Sequence, residues 1–245
     1  MPFLRPLGML LAVLILGGCA NAAPHNADAL WQLISQKCVP GMAQKGEPAP
    51  CQSVDVKAGF VTLKDRRGVL QYLVMPTTKI TGMESPLLLK ASTPPFFALA
   101  WQQRQLASQH YGHKVPDRDL SLAINSAYGR SQNQLHVHIS CLRPALRQQL
   151  DALAPGLGRQ WQSQSLMGHP YLLRTLSPNE LGQQSVFMHL AEEVPGAKGE
   201  MGRYGMAMAT LPDGQLLLMA TRAGSGGSQG SAEEIQDHDC AIVKG

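Results

Sequence analysis

The sequence is poor in charge and in aromatic rings: of its 245 residues 16% are Asp, Glu, Lys or Arg, and 5% are Phe, Trp or Tyr. No Lys/Arg cluster and no interleaving of aromatic with basic residues occurs. The net charge of +4 therefore does not point to nucleic acid, although a small positive excess suits an anionic phospholipid surface. No Cys-x-x-Cys is present, which removes the usual thiolate nucleus of a zinc site. The run Gly224–Gly230 lacks the Gly-Lys-Ser/Thr ending of a phosphate loop, and no His-x-x-x-His occurs. A hydrophobic content of 44% and this length allow one large or two small globular domains.

The most informative stretch is Asn125 to Ser140. Within it Leu135-His-Val-His-Ile139 alternates as a β-strand does, so His136 and His138 share one face while Val137 and Ile139 go to the core. A polar, Gly-containing loop from Asn125 to Asn133 leads into it. The pattern admits three readings: a polar strand face, a pair of metal ligands, or a nucleophilic imidazole with a supporting partner. Spacing alone does not choose among them.

The run resembles the histidine-triad motif, His-x-His-x-His after a Gly-Gln-Ser/Thr loop. Lys64-Asp65, Gln71–Pro76, Gly82–Pro86, Ser121–Asn125, Gln132-Asn133, His136–Cys141, Ala191–Pro195 and Ser231–His238 together resemble the CDP-diacylglycerol pyrophosphatase family, over roughly residues 30–243. The first motif position is Gln134 where the motif has His. In the superfamily that residue orients the nucleophile through its backbone carbonyl, which Gln also supplies.

The resemblance implies a function and a set of roles. The expected reaction is hydrolysis of CDP-diacylglycerol to phosphatidate and CMP. His136 attacks the cytidylyl phosphorus and forms a CMP-His136 intermediate, and His138 donates to phosphate oxygens. Ser131 matches the loop residue on the leaving side, and Arg130 stands where Gln is commoner. Lys79 takes a place where relatives often carry another His, and Lys64 and Asn125 are weaker substrate contacts. No metal and no cofactor is expected. The alternatives are a broader hydrolase or transferase of soluble nucleoside diphosphate compounds, and a non-catalytic cell-envelope nucleotide- or metal-binding module.

Residues 1–25 read as a targeting or anchoring segment: Arg5 is followed by the apolar run Leu7–Leu16. Leu16-Gly-Gly-Cys19 resembles a lipobox, Ala20-Asn-Ala22 offers a cleavage site, and an uncleaved span is the third option. The resemblance implies an anchor in the inner membrane with the remainder in the periplasm. Cys38, Cys51, Cys141 and Cys240 then sit in an oxidising compartment, where Cys38–Cys51 and Cys141–Cys240 are the expected bridges.

The order of elements predicts an α+β fold with an antiparallel sheet. A helix over Ala27–Gln36 has Asp28 as its cap. Strands at Phe60–Leu63 and Leu70–Met75 form a hairpin, a helix runs from Pro94-Pro95 to about Gln109, and Leu120–Ile124 leads to the His strand. A fainter second round follows: strand Tyr171–Leu176, helix Asn179–Ala191, then a hairpin of 204–211 and 215–221 around Pro212-Asp-Gly214. We expect two histidine-triad-like halves, 26–150 carrying the site and 151–245 a degenerate copy, so that one chain acts as a pseudo-dimer. Met201, Met206, Met208 and Met219 are core. His110, His113, His169, His189 and His238, and the pairs Glu192-Glu193 and Glu233-Glu234, read as surface residues without a role.

Overall fold

The computed structural model describes residues 26–244. Its strands are β1 (Ser53–Asp55), β2 (Phe60–Lys64), β3 (Tyr72–Pro76), β4 (Leu120–Ile124), β5 (Val137–Leu142), β6 (Gln162–Leu166), β7 (His169–Leu176), β8 (Tyr204–Thr210), β9 (Leu216–Arg222) and β10 (Gln236–Asp237). They form one antiparallel sheet in the order β1-β2-β3-β5-β4-β8-β9-β7-β6, with the short β10 added to β5. Both hairpins of each round form, and the α+β expectation holds. The order β2-β3-β5-β4 is mirrored by β8-β9-β7-β6, and β4 meets β8 at the centre, Leu122 opposite Met208.

One face of this sheet is apolar throughout. Tyr72, Val74, Leu122, Ile124, Val137, Ile139, Met206, Met208 and Leu218 pack under α3 (Phe96–Gln103) and α6 (Val186–Glu193). Phe97 and Phe187 meet edge to face at 5.6 Å, joining the helices of the two halves. The other face is divided. At one end Val61, Leu73 and Met75 lie under Ile34 and Cys38 of the N-terminal helix. At the other, Ala207, Met219 and Leu173 lie under Leu146 and Leu150 of α5 (Pro144–Leu153). His138 is paired with Leu73 on one side and Ala123 on the other, between the two apolar patches.

Several helix boundaries differ from expectation. The N-terminal helix does not stop at Gln36: α1 (Ala29–Leu33) passes through a π-helical turn, Ile34–Cys38, into α2 (Val39–Lys45). Pro40 has no N–H to donate, so the wider turn before it accommodates a residue that would end a regular helix. Asp28 occupies the cap position but makes no capping bond; its carboxylate pairs with Lys79 at 2.9 Å. The Leu30 N–H is met by the Gln132 Oε1 atom at 3.0 Å instead. The helix expected over Asn179–Ala191 begins with a capping box at Ser177, yet only Pro178–Glu180 forms a 3-10 turn. Gly182, at φ +94, breaks the run before α6. The helix after Pro95 is divided at Arg104 into α3 and α4 (Gln105–Tyr111). β1, β6, α5 and β10 had not been anticipated. The four core methionines are buried as expected.

Both disulfides form as expected, Cys38–Cys51 and Cys141–Cys240. Two such bridges belong to an oxidising, extracytoplasmic compartment. The second fastens the C-terminal tail to the end of β5, and β10, pairing with Cys141 and Leu142, lies just before it. The expected anchor, residues 1–25, lies outside the described residues; among those described, no helix is long and apolar enough to cross a membrane.

The loops closed by the two bridges span 13 and 99 residues. A longer loop restricts the unfolded chain more, so Cys141→Ser with Cys240→Ser should lower unfolding free energy by about 2–5 kcal/mol, more than the Cys38/Cys51 pair. Urea titrations of the two double variants test this; equal midpoints would show that the loop-length argument does not govern here.

Candidate active site

β5 is an interior strand, so its backbone is paired on both edges and its side chains are held firmly. The strand's alternation places His136, His138 and Ser140 on the divided face. The imidazoles of His136 and His138 lie 4.8 Å apart at 63°. Both are nearly buried, with 7% and 5% of their surface exposed.

His136 Nδ1 lies 2.6 Å from the carbonyl oxygen of Gln134. A carbonyl only accepts, so the ring proton sits on Nδ1 and Nε2 keeps its lone pair. Burial pushes the His136 pKa below its ordinary value, and the nearby Arg130 acts in the same direction; the Gln134 carbonyl, Glu233 and Asp65 oppose the fall. The ring is therefore neutral at pH 7 and nucleophilic. Gln134 itself is anchored by its side chain, whose Nε2 donates to the carbonyls of Pro76 at 3.0 Å and Thr78 at 2.9 Å. The Leu135 N–H donates to the carbonyl of Ile80 at 2.6 Å, fixing the strand's entry.

His138 has a different environment. Its Nδ1 faces two groups, the Gln71 Nε2 at 3.0 Å and the Glu233 Oε1 at 3.3 Å. The Gln71 amide also donates to the Asp65 carboxylate at 3.1 Å, which fixes which end of it points to the ring. A neutral His138 accepts from Gln71 at Nδ1, and a charged one donates to Glu233. In both states Nε2 carries a proton, and that nitrogen is buried with no hydrogen-bond partner among the described residues. Burial lowers the His138 pKa to about 4; Glu233 and Asp65 oppose the fall, while His136 and His238 add to it.

Glu233 and His238 correct the expectation for the tail. The Glu233 carboxylate accepts from Asn125 Nδ2 at 2.9 Å, and His238 Nε2 lies 3.1 Å from it. Burial alone would raise the Glu233 pKa, but His238, His138 and Asn125 bring it to about 2. His238 Nδ1 is also 3.3 Å from Ser140 Oγ. The tail reaches this position because it crosses β8 at Gly205, where a Cβ would stand 2.1 Å from the carbonyl oxygen of Gly230. Gln236 Nε2 then donates to the Ser121 carbonyl at 3.0 Å. Periodicity and spacing in Ser231–His238 do not mark these contacts; the signals were the resemblance of that block to the family and Cys240, whose bridge to Cys141 brings the tail to β5.

The other expected contacts are placed as follows. Asn125 holds the tail: its Oδ1 accepts from the Glu233 N–H at 3.0 Å. Arg130 makes a two-pronged pair with Glu84 at 2.6 and 2.7 Å, in a space left open by Gly82, whose Cβ would lie 2.4 Å from the guanidinium. Lys79 is exposed and paired with Asp28. Lys64 donates to the carbonyls of Asp65 and Gly68, both at 2.9 Å, and shapes the turn that presents Asp65 and Gln71. Ser131 is exposed in the loop before the strand. The other acids and histidines pair elsewhere: His169 and Tyr171 with Glu234, and His189 and the buried Arg174 with Glu193. No three His, Cys, Asp or Glu side chains gather as a metal-ligand set among the described residues.

The arrangement therefore sets a neutral imidazole with a free ring nitrogen beside a buried N–H without a partner among the described residues, a pair of groups suited to phosphate chemistry. Residues 25–244 match the family model described as CDP-diacylglycerol pyrophosphatase, and the chain belongs to this family. A relative from Yersinia pestis, itself named CDP-diacylglycerol pyrophosphatase, is 48% identical over 238 residues, covering 96% of this chain and 92% of the relative.

Because His136 is oriented by the carbonyl of Gln134 and not by its side chain, Gln134→Ala should keep kcat within about tenfold of the parent. It should lose about 1–3 kcal/mol of stability, since two carbonyls lose their donor. Steady-state kinetics beside a thermal melt separate the two effects. A collapse of kcat in a folded variant would transfer the orienting role to the amide.

Proposed function

We infer that this chain hydrolyses the pyrophosphate bond of CDP-diacylglycerol, releasing phosphatidate and CMP, by way of a nucleotidylated His136. The substrate assignment rests on the family and on the Yersinia pestis relative. The observation that carries the covalent route is the bond from His136 Nδ1–H to the Gln134 carbonyl, which leaves Nε2 as the attacking atom.

A pyrophosphate diester repels nucleophiles by its charge, so a neutral attacking group held in line is the economical solution. Nε2 of His136 forms a bond to the cytidylyl phosphorus as the bond to the phosphatidate oxygen breaks. Nδ1–H stays on the Gln134 carbonyl, which accommodates the positive charge that the ring acquires. Water then attacks the same phosphorus and the P–N bond breaks, returning His136 to its neutral form. His138 Nε2–H, buried and unpaired among the described residues, is a donor for a phosphate oxygen when the substrate binds. Arg130, fixed by Glu84, keeps the loop before β5 in shape and adds positive potential at His136. Ser131 stands toward the leaving group, and Lys64, Lys79 and Asn125 act by holding the turn, the helix and the tail around the substrate.

The chain is also read as an internal duplication of a histidine-triad-like unit, with halves 26–150 and 151–245. What supports this is the mirrored strand order about β4 and β8 and the repeat of hairpin, helix, hairpin in each half. The second half has Leu217 and Met219 where the first has imidazoles, so one site is expected per chain, with a pseudo-dimeric monomer as the working unit.

We place the enzyme at the outer face of the inner membrane, held there by residues 1–25, either as an uncleaved anchor or through a lipid on Cys19. Asn26 and Ala27, the first described residues, accept hydrogen bonds from Gln132 and Asn133, at 2.9 and 2.6 Å, in the loop that precedes the His strand. An anchor entering there sets the site close to the surface that holds the lipid substrate.

His136→Ala should lose turnover by several orders of magnitude, with His138→Ala severe but less complete. Mass spectrometry of protein quenched without acid should find CMP on His136. Retention of more than about a tenth of the activity by His136→Ala removes the covalent route.

A chain beginning at Asn26 should cleave detergent-dispersed substrate nearly as fast as the full chain and be much slower on vesicles. A chain beginning at Leu30, which lacks the Asn26 and Ala27 carbonyls that accept from Gln132 and Asn133, should be impaired on both. Equal loss on micelles and vesicles for the Asn26 chain would make the leader part of the site.

A further inference from the structure

Three groups of unequal exposure stand in line behind the substrate side of the site. His138 is 5% exposed, the Glu233 carboxylate lies 3.3 Å from its Nδ1, and His238 Nε2 lies 3.1 Å from the same carboxylate oxygen. The side chain of His238 is 35% exposed. A buried ring is thus connected to solvent through a carboxylate and a second ring, all within hydrogen-bonding reach. The catalytic route above leaves Glu233 and His238 without work, since a hydrogen-bond donor at His138 Nε2 needs neither.

We propose that Glu233 is a positioning residue that lets His138 take up a proton when the substrate arrives, and that His238 is the port through which that proton enters and leaves. This deepens the proposed function and rests on its covalent route. The groups facing His138 are Glu233 and His238 from the tail, Asp65 and Gln71 from the β2–β3 turn, and His136 on its own strand. In the free protein burial outweighs the acids and His138 is neutral, its Nδ1 accepting from Gln71. A bound pyrophosphate brings two negative charges to the other side of the ring. Opposite charge within about 4–6 Å shifts a pKa toward the charged form by about one to three units, and the two phosphate charges together move His138 from about 4 toward neutrality.

The charged ring then turns its Nδ1–H to Glu233 and presents an acidic Nε2–H. As the P–O bond breaks, that proton goes to the departing phosphatidate oxygen. His138 is left with Nδ1–H on Glu233 and a lone pair at Nε2. In the second step it accepts a proton from the attacking water while the P–N bond breaks, so each product carries one proton of the water and the enzyme is restored. When the substrate has gone, the ring's proton leaves along Glu233 and His238. Glu233 is held for this by Asn125 and by its own N–H, so the tail presents it in one orientation.

The sign of the effect is fixed. Removing the negative charge at 233 lowers the His138 pKa in the substrate complex, so the limb on which kcat falls with rising pH must move to lower pH. Glu233→Gln keeps an oxygen for Asn125 and is the test variant, with circular dichroism and a thermal melt to establish folding. It should lower kcat at pH 8 by about 100-fold and move that limb down by at least about one unit. His238→Asn, which keeps the carboxylate, should move the limb less than Glu233→Gln does and slow turnover most in weak buffer, with added imidazole restoring it. A folded Glu233→Gln variant that loses activity with an unmoved pH limb makes Glu233 structural only and overturns the proposal, as does one with unchanged kcat. The covalent route fails separately, by the absence of a CMP-His136 adduct in the parent enzyme. If Glu233→Gln does not fold, the His238→Asn limb and its rescue by imidazole decide, and insensitivity to both overturns the relay.

Discussion

Everything at the site depends on β5 being paired along both edges. β3 holds it at Val137–Ile139 and β4 at His138–Cys141, and β10 takes over from β3 at Cys141 and Leu142. Paired backbone on both sides leaves the strand no freedom to shift or slip, because a slip of one residue would turn both imidazoles into the core under α3 and α6. The hand-over from β3 to β10 has a second effect. Where β3 begins, the turn bearing Asp65 and Gln71 faces the tail bearing His238, and the Val69 N–H donates to the carbonyl of His238 at 3.0 Å. The polar surroundings of His138 are assembled at that junction.

The cations nominated for phosphate binding are already occupied. Arg130 is matched to Glu84, Lys79 to Asp28, and Lys64 to two turn carbonyls. Each of them arranges the chain around the site, and the region next to His138 carries Glu233 and Asp65 besides. A doubly negative substrate meeting such a site is balanced best by a proton, the one positive charge that arrives only when needed. On the proposed route this is why burial of the two rings matters: it favours their neutral forms while the site is empty, leaving His136 free to attack and His138 with a charge still to acquire.

The strand was legible because a period of two is a property of neighbours: His136, Val137, His138 and Ile139 announce their faces without knowledge of the fold. The hairpin at Pro212-Asp-Gly214 and the buried methionines were legible for the same reason. The tail was not. Glu233 reaches Asn125 across 108 residues of sequence, and an acid pair in a polar stretch looks the same whether it faces solvent or an imidazole. The misplaced helix ends have local causes of a subtler kind: Pro40 is tolerated by a π turn, and Gly182 interrupts an otherwise helical run. The polar strand β6, Gln162–Leu166, escaped because an edge strand need hide only one of its faces and carries little hydrophobic signal.

On the proposed reading of two halves with one site, the course of α5 accounts for the difference between them. It leaves β5 at Pro144, and instead of lying over the face of its own half it crosses to the other, where Leu146 and Leu150 meet Ala207, Leu217 and Met219. The face it covers must be apolar, and imidazoles there would be buried without partners at a cost of several kcal/mol. The face of the first half is covered instead by the N-terminal helix over Leu73 and by the tail over Ser140. Between the two lie the nearly buried imidazoles of His136 and His138, the Nε2 donor of His138 unpaired among the described residues. On that reading the path of one helix decides which half is core and which is site.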